Sequence, residues 1–130
     1  MNKTLLSFCV LFLLACGGGI PAPAQSSLLS PGDFEKMLQD DKTVQLVDVR
    51  TDREYQSGHI EGALNRDYYA DDFATQLGKL DKSKPVMVYC AAGGRSSGAA
   101  DQLKKLGFTS VYDLDGGMKA WKAAGKKVVN

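Results

Sequence analysis

The sequence has little cysteine, and this scarcity limits the chemistry that the chain can perform. Its 130 residues contain three cysteines, Cys9, Cys16 and Cys90. The first two lie in or directly after an apolar N-terminal run that we expect to be removed or modified. Cys90 is then the only free thiol of the mature chain. A single thiol forms no internal disulfide, and it lacks the resolving partner that a disulfide oxidoreductase needs.

The sequence also has no excess of charge of either sign. It contains 16 basic and 15 acidic side chains, and loss of Lys3 with the N-terminal run leaves 15 of each. A balanced surface creates no field that attracts nucleic acid or an acidic membrane. We therefore expect no nucleic-acid partner and no electrostatic attachment to a membrane.

One long apolar run is present, and it lies at the N-terminus. Lys3 precedes residues 5–14, which are almost wholly apolar. This run is too short to span a bilayer as a helix and has the form of a secretory signal. It ends in Leu-Leu-Ala-Cys at Cys16, which resembles the lipobox of bacterial lipoproteins. The resemblance implies that residues 1–15 are a cleaved signal peptide and that the Cys16 sulfur is lipidated.

A lipidated Cys16 would be the only link between this protein and a membrane, since several acyl chains anchor firmly. The next residue is Gly17 rather than aspartate, so the usual retention signal of the inner membrane is absent. We therefore expect a periplasm-facing lipoprotein of the outer membrane, if the host has one. An ordinary cleaved signal with a free product is the alternative. Residues 16–27 are rich in glycine and proline and predict a flexible tether, which leaves residues 28–130 as the domain.

The predicted domain alternates between short apolar strands and amphipathic helices. The predicted strands lie at 44–49, near Asn65, at 86–89 and at 110–114. The predicted helices begin at Pro31 after a Ser30 cap, after a Thr51 capping box, at Asp71 (ending at Leu80), near Ser96 (ending at Gly107) and after Gly117. Such alternation predicts one α/β domain with a mainly parallel sheet.

The stretch after the third predicted strand is where we expect the chemistry. Cys90 stands at the carboxyl end of that strand, where ligands bind in open α/β sheets. It is followed by Ala91, Ala92, Gly93, Gly94, Arg95 and Ser96. The small residues let backbone N–H groups converge on one point, and both Arg95 and the following helix N-terminus add positive charge. All three features favour the nucleophilic thiolate, which predicts a reactive cysteine rather than a buried structural one.

Three motifs, in this order, resemble those of the single-domain rhodanese family of sulfurtransferases. The first lies within residues 46–63, from Leu-Val-Asp-Val-Arg-Thr to Gly-His-Ile and Gly-Ala. The second, residues 90–95, places four residues between a cysteine and an arginine. The third, residues 114–121, reads Leu-Asp-Gly-Gly followed by a tryptophan. The resemblance covers roughly residues 28–125, nearly all of the mature chain.

The resemblance implies a five-stranded, mainly parallel sheet with helices on both faces. It also implies a reaction in which Cys90 takes the outer sulfur of a donor such as thiosulfate and passes it, as a persulfide, to a nucleophilic acceptor. Residues 91–96 would then bind substrate and surround the persulfide with amide donors. No metal, nucleotide or other cofactor is needed, because the carrier is the cysteine itself. The acceptor, a small molecule or a protein thiol, stays open, and we expect a monomer.

Other residues of the three motifs are assigned supporting roles. Asp48 and Arg50 either brace the cysteine loop or form a plain buried ion pair. Arg95 either orders that loop or helps an anionic donor to dock. We expect His59 to be structural, since an ionised thiolate needs no general base.

The remaining residues that we single out have no role in the transfer itself. We interpret Gly116, Gly117 and Trp121 as turn and packing residues. Tyr68 and Tyr69 stand where relatives usually have an apolar residue and a proline. They either rim the pocket or pack against the domain.

Rival functions come from other classes of protein. A cysteine phosphatase or an arsenate reductase uses a related loop, but such phosphatases place five residues between cysteine and arginine. The shorter loop here suits a single sulfur atom better than a tetrahedral oxyanion, and Tyr89 rather than histidine precedes the cysteine. A second rival is a non-catalytic binding module of the cell envelope on the same fold. A third possibility is a relay that delivers its persulfide to another protein.

Overall fold

The computed structural model describes residues 26–130. The predicted signal peptide, Cys16 and most of the predicted tether lie outside the described residues. Within them, no helix is both long enough and apolar enough to cross a membrane. The strands are β1 (Ser26–Leu29), β2 (Gln45–Asp48), β3 (Leu64–Asn65), β4 (Val86–Tyr89) and β5 (Val111–Leu114). The helices are α1 (Pro31–Asp40), α2 (Asp52–Gln56), α3 (Phe73–Gly78), α4 (Gly94–Lys105) and α5 (Gly117–Ala123).

The five strands form one sheet in the order β1-β5-β4-β2-β3, and every neighbouring pair is parallel. β4 lies at the centre, and all four of its side chains are buried. This explains its uninterrupted apolar sequence, because a central parallel strand is covered on both faces. The predicted five-stranded parallel sheet is confirmed. Its carboxyl edge brings the chain that follows β4 next to the chain that follows β5.

Helices cover both faces of the sheet, as predicted. On one face α3 and α4 pack Phe73, Leu77 and Leu103 against the valines of the central strands. On the other face α1 and α5 contribute Phe34 and Trp121, whose rings meet edge to face with centroids 6.2 Å apart. Both clusters are continuous with the buried strands, so the sheet is held rigidly at its centre.

Local sequence signals place the helix ends. The Ser30 hydroxyl accepts a hydrogen bond from the Asp33 N–H at 3.2 Å and caps α1, as predicted. The predicted capping box is present in both directions at Thr51 and starts α2. Beyond the end of α4, Gly107 adopts a φ of +96°, the left-handed conformation that glycine takes at little cost. α4 begins two residues before its predicted start, at Gly94, so the helix N-terminus reaches into the cysteine loop.

Two boundary predictions were wrong. Ser26 and Ser27 belong to β1 rather than to an unpaired tether, because their backbone pairs with Val111 and Tyr112 of β5. Serine has little strand preference of its own, so this exposed edge strand depends on backbone pairing with its neighbour. The helix predicted over 71–80 is shorter, since only Phe73–Gly78 is helical.

The N-terminus of α5 fixes the backbone of the cysteine loop. The N–H groups of Met118 and Lys119 donate to the carbonyl oxygens of Cys90 and Ala91, at 2.8 and 3.0 Å. Gly117 adopts a φ of +57° at this contact. A Cβ added there would lie 2.5 Å from the Cys90 carbonyl oxygen and 2.7 Å from the Ala91 carbonyl carbon. Glycine is therefore required at Gly117 by close approach as well as by conformation.

Substitution of Gly117 by alanine should destabilise the domain more than the same substitution at another left-handed glycine. Gly62 is the matched control, since its φ is +84° and an added Cβ would meet nothing within 4 Å. We expect Gly62→Ala to cost about 1 kcal/mol of unfolding free energy through backbone strain. Gly117→Ala should cost about 3 kcal/mol or more, because the loop must also move. Urea unfolding of the full chain measures both, and equal losses would contradict the close packing described here.

Candidate active site

Cys90 lies at the carboxyl end of β4, at the floor of the loop formed by residues 91–96. The residue is only 1% exposed. The Gly93 N–H donates a hydrogen bond to its sulfur at 3.0 Å. The thiol in turn donates to the Ser96 hydroxyl oxygen at 3.4 Å. Gly93 has a φ of +118°, which a residue with a side chain rarely adopts. Gly93, one of the small residues expected to let amides approach one point, thus directs its N–H toward the sulfur.

The surroundings of Cys90 favour its ionised form. Burial alone raises the pKa of the thiol, because a thiolate loses hydration there. Hydrogen bonding by the Ser96 hydroxyl and by the amides of Ser96, Gly93 and Ala92 acts in the opposite direction and outweighs the burial. The net effect lowers the pKa of Cys90 below its ordinary value. The nucleophilic thiolate is therefore stabilised by fixed dipoles rather than by water.

Arg95 holds the loop to α2 through Glu54. Its two terminal nitrogens donate to the two carboxylate oxygens of Glu54, at 2.7 and 2.9 Å. The same carboxylate accepts the Thr51 N–H of the capping box at 2.9 Å. Arg95 lowers the pKa of Glu54 to about 2. Burial acts in the opposite direction, and the hydrogen bonds from Thr51 lower the pKa further. Sequence reasoning assigned Glu54 to the capping box alone and missed this second role, because its partner lies 41 residues away.

The two tyrosines after the first motif have different roles. Tyr69 is 68% exposed, and the Arg95 guanidinium lies 5.8 Å from its ring centroid. Tyr68 packs inward against Phe73, and its hydroxyl end fills the space beside Gly98 on α4. Tyr69 therefore rims the site beside Arg95, whereas Tyr68 is a packing residue.

Asp48 and Arg50 form a buried ion pair that braces a different loop. The Arg50 Nη2 donates to Asp48 at 2.7 Å and to the Gly58 carbonyl at 2.7 Å. The Asn65 amide donates to the main-chain oxygens of Asp48 and Arg50. Within the described residues neither charged side chain hydrogen-bonds to residues 90–96. The pair supports residues 58–65. It is a buried ion pair and does not brace the cysteine loop.

The single histidine is also engaged in packing. The main chain of His59 exchanges hydrogen bonds with Val129, at 2.8 and 2.9 Å. Its Nδ1 donates to the Tyr55 carbonyl at 2.9 Å, and its ring stacks on the Tyr55 ring with centroids 3.7 Å apart. This arrangement fits the structural role expected from the sequence.

A buried carboxyl group lies next to the loop and was missed by sequence reasoning. Asp113 of β5 is 3% exposed, and within residues 26–130 its Oδ1 has no hydrogen-bond partner. Burial raises the pKa of Asp113 to about 6. The nearby charge of Asp115 also raises this pKa, whereas the Ser96 hydroxyl lowers it. The residue sits within an apolar strand, so nothing in the local sequence indicates its position beside Cys90.

A cavity of about 360 Å³ opens beside this carboxyl group. Its walls include Ala92 and Gly93 of the loop, Ser97 of α4, Asp113 of β5 and Asp115, which follows β5. It therefore adjoins the back of the loop whose amide contacts the sulfur. Within residues 26–130 no three histidine, cysteine, aspartate or glutamate side chains are grouped to hold a metal ion.

These features define an α/β domain with an ionisable cysteine in an amide-lined loop at the carboxyl edge of a parallel sheet. Residues 30–124 match the sequence profile of the Rhodanese-like domain, which is most of the chain. The chain therefore belongs to the rhodanese family.

Similar proteins agree with this membership. The thiosulfate sulfurtransferase GlpE of Shewanella oneidensis is 41% identical over 83 residues, which span 64% of this chain and 80% of the relative. A rhodanese-related protein of Thermoplasma volcanium superposes with a TM-score of 0.70 at 27% identity, covering 79% of this chain and 97% of that one. A rhodanese-like domain protein of Staphylococcus aureus has a TM-score of 0.65 at 30% identity, with 73% and 90% covered.

Neutralising Glu54 should destabilise the domain in a pH-dependent way. The pKa of Glu54 is about 2 against a usual 4.5, so the stabilisation by its charge is complete above about pH 4.5 and lost as the pH falls toward 2. Because a third of the side chain is exposed, we expect Glu54→Gln to cost only about 1–2 kcal/mol of unfolding free energy at neutral pH. The difference from wild type should shrink in urea unfolding at about pH 3.

The matched control for this substitution is Glu61→Gln. Glu61 also faces a cation, Lys127 at 3.1 Å, but both side chains are 70% exposed. An exposed pair of this kind contributes about 0.5 kcal/mol or less. If the two glutamine variants lost the same stability at neutral pH, the Glu54–Arg95 pair would not brace the loop as described.

Proposed function

We propose that this protein is a rhodanese-type sulfurtransferase that carries sulfur as a persulfide on Cys90. The observation that carries the proposal is the 3.0 Å hydrogen bond from the Gly93 N–H to the Cys90 sulfur, inside a loop with four residues between cysteine and arginine. The identity of 41% to a thiosulfate sulfurtransferase supports thiosulfate as a donor.

The proposed reaction has two displacements at sulfur. The Cys90 thiolate attacks the outer sulfur of thiosulfate, a sulfur–sulfur bond forms, and sulfite leaves with the electron pair of the bond that breaks. The negative charge then rests on the terminal sulfur of the persulfide, where the loop amides stabilise it. A nucleophilic acceptor next attacks this terminal sulfur, and the Cys90 thiolate is regenerated. No proton moves in either step. The reaction therefore needs no general base, and His59 can have a purely structural role.

The charge around the loop argues against the phosphatase alternative. A phosphate ester needs a guanidinium directed at its oxygens. Both terminal nitrogens of Arg95 instead bind Glu54, whose negative charge offsets that of the arginine. A sulfur anion needs only the amides and the α4 N-terminus, which are directed at Cys90. The geometry therefore favours sulfur transfer over hydrolysis of an oxyanion ester.

The persulfide is tested by the intact mass of the full chain, purified as its host processes it, after incubation with thiosulfate. We expect the mass of the chain to increase by one sulfur atom, and the mass of the Cys90 peptide to show that the sulfur is on this residue. Addition of cyanide should remove the sulfur as thiocyanate. A Cys90→Ser variant is the matched control and should gain nothing. If neither thiosulfate nor a low-molecular-weight persulfide loads the wild-type chain, the sulfurtransferase proposal is wrong.

We also propose that Cys16 is lipidated and holds the domain at the cell envelope. Only the sequence pattern supports this. The nine residues between Cys16 and Ser26 can span at most about 35 Å between those two residues. The domain would then work close to the membrane and meet acceptors at its surface.

Substitution of Cys16 by serine tests the anchor. The variant should move from the membrane fraction to the soluble fraction of its host, because the thioether that holds the lipid is not formed. Thiosulfate loading of Cys90 should be unchanged in the released protein. Retention of the Cys16→Ser chain in the membrane fraction would refute lipidation as the anchor.

A further inference from the structure

The Ser96 hydroxyl has one proton and three neighbouring acceptors. In the structure it donates to the Gly93 carbonyl at 3.2 Å, and it accepts from the Cys90 thiol at 3.4 Å. It also lies close enough to Asp113 to influence the titration of that carboxyl group. When Cys90 is ionised, its sulfur becomes a third acceptor for the hydroxyl. Ser96 can satisfy only one of these groups at a time as a donor.

Asp113 faces this hydroxyl from within the sheet. β5 lies beside β4, with Asp113 paired to Val88, and side chains alternate between the two faces of a strand. Val111, two residues earlier, packs in the core beneath α4, so Asp113 points to the same face. α4 starts directly above it and carries Ser96. The carboxyl group is thus trapped between the sheet and the first turn of the helix.

The charges around Asp113 leave Ser96 as its polar neighbour in the loop. Within the described residues no basic side chain forms an ion pair with it. Directly after β5 the neighbouring charge is Asp115, and β1 contributes none. After β4 the titratable group is Cys90. In the first turn of α4 the charged residue is Arg95, whose guanidinium is bound to Glu54. The unpartnered Oδ1 of Asp113 is therefore not compensated by a cation.

We propose that Asp113 is a positioning residue that controls the thiolate of Cys90 through Ser96. When Asp113 is ionised, its carboxylate competes for the Ser96 hydroxyl proton and withdraws that donor from the cysteine sulfur. When Asp113 is protonated, it donates to the Ser96 oxygen instead, and the hydroxyl is free to donate to the thiolate. This inference concerns the ionisation of Cys90 and does not depend on which sulfur donor the protein uses.

The ionisation of Cys90 should depend on pH through the ionisation of Asp113. Since the pKa of Asp113 is about 6, the exchange of hydrogen bonds takes place in mildly acidic solution. Below that pH the Cys90 thiolate is stabilised by Ser96, and above it the thiolate loses this donor and meets a second buried negative charge. The fraction of thiolate should then rise less steeply with pH than for a single independent group, because the two ionisations oppose each other.

The rate of iodoacetamide alkylation of Cys90 in the full chain, followed from about pH 5 to pH 9 by the mass of its peptide, tests this. In the wild-type chain we expect two inflections, one of them near pH 6. Asp113→Asn should leave one inflection and alkylate about tenfold faster at neutral pH, because the competing carboxylate is gone. A wild-type profile with one inflection would overturn the proposal without recourse to any variant.

Two further variants separate the route through Ser96 from a general effect of charge. Asp115→Asn removes a neighbouring negative charge that also lines the cavity, and it should change the rate less than about twofold. In a Ser96→Ala background Asp113→Asn should have no further effect, since the connecting hydroxyl is absent. If Asp113→Asn accelerated alkylation equally with and without Ser96, the charge would act through space and the proposed role of Ser96 would be wrong. Urea midpoints of all variants verify that each is folded.

Discussion

The burial of a negatively charged sulfur is the constraint on which the rest of the site depends. Cys90 is 1% exposed, so water stabilises its anion very little. The protein replaces that hydration with dipoles of fixed direction, among them the amides of Gly93, Ser96 and Ala92. Dipoles that are already oriented stabilise the anion without a cost of reorientation, and this advantage requires a rigid loop. Its carbonyl groups are held from the opposite side by the first turn of α5.

Ion pairs as well as packing make this edge of the sheet rigid, and two arginines contribute to it, the buried Arg50 and the half-buried Arg95. Arg95 ties the cysteine loop to α2 through Glu54, while Arg50 ties residues 58–65 to β2 through Asp48. The two arginines thus brace adjacent segments at the same edge of the sheet. Neither guanidinium group is fully exposed, because each is bound to a carboxylate of the segment that it braces.

The parts of the structure that were predictable are those specified by neighbouring residues. The apolar run of β4, the glycines of the loop and the caps at Ser30 and Thr51 each act within a few residues, and all were identified. Pairings between distant segments were not. β1 begins with two serines that form a strand only beside β5, Glu54 meets Arg95 across 41 residues, and Asp113 meets Ser96 only because β5 lies next to β4. Such contacts depend on strand order, which no local pattern encodes.

Because all five strands run in the same direction, the sheet has one edge made of the amino ends of its strands and one made of their carboxyl ends. Every strand runs toward the edge that carries Cys90, and the described chain enters the sheet through β1 at the other edge. Under the proposed lipid anchor at Cys16, the attachment would lie toward the amino ends of the strands and the reactive sulfur at their carboxyl ends.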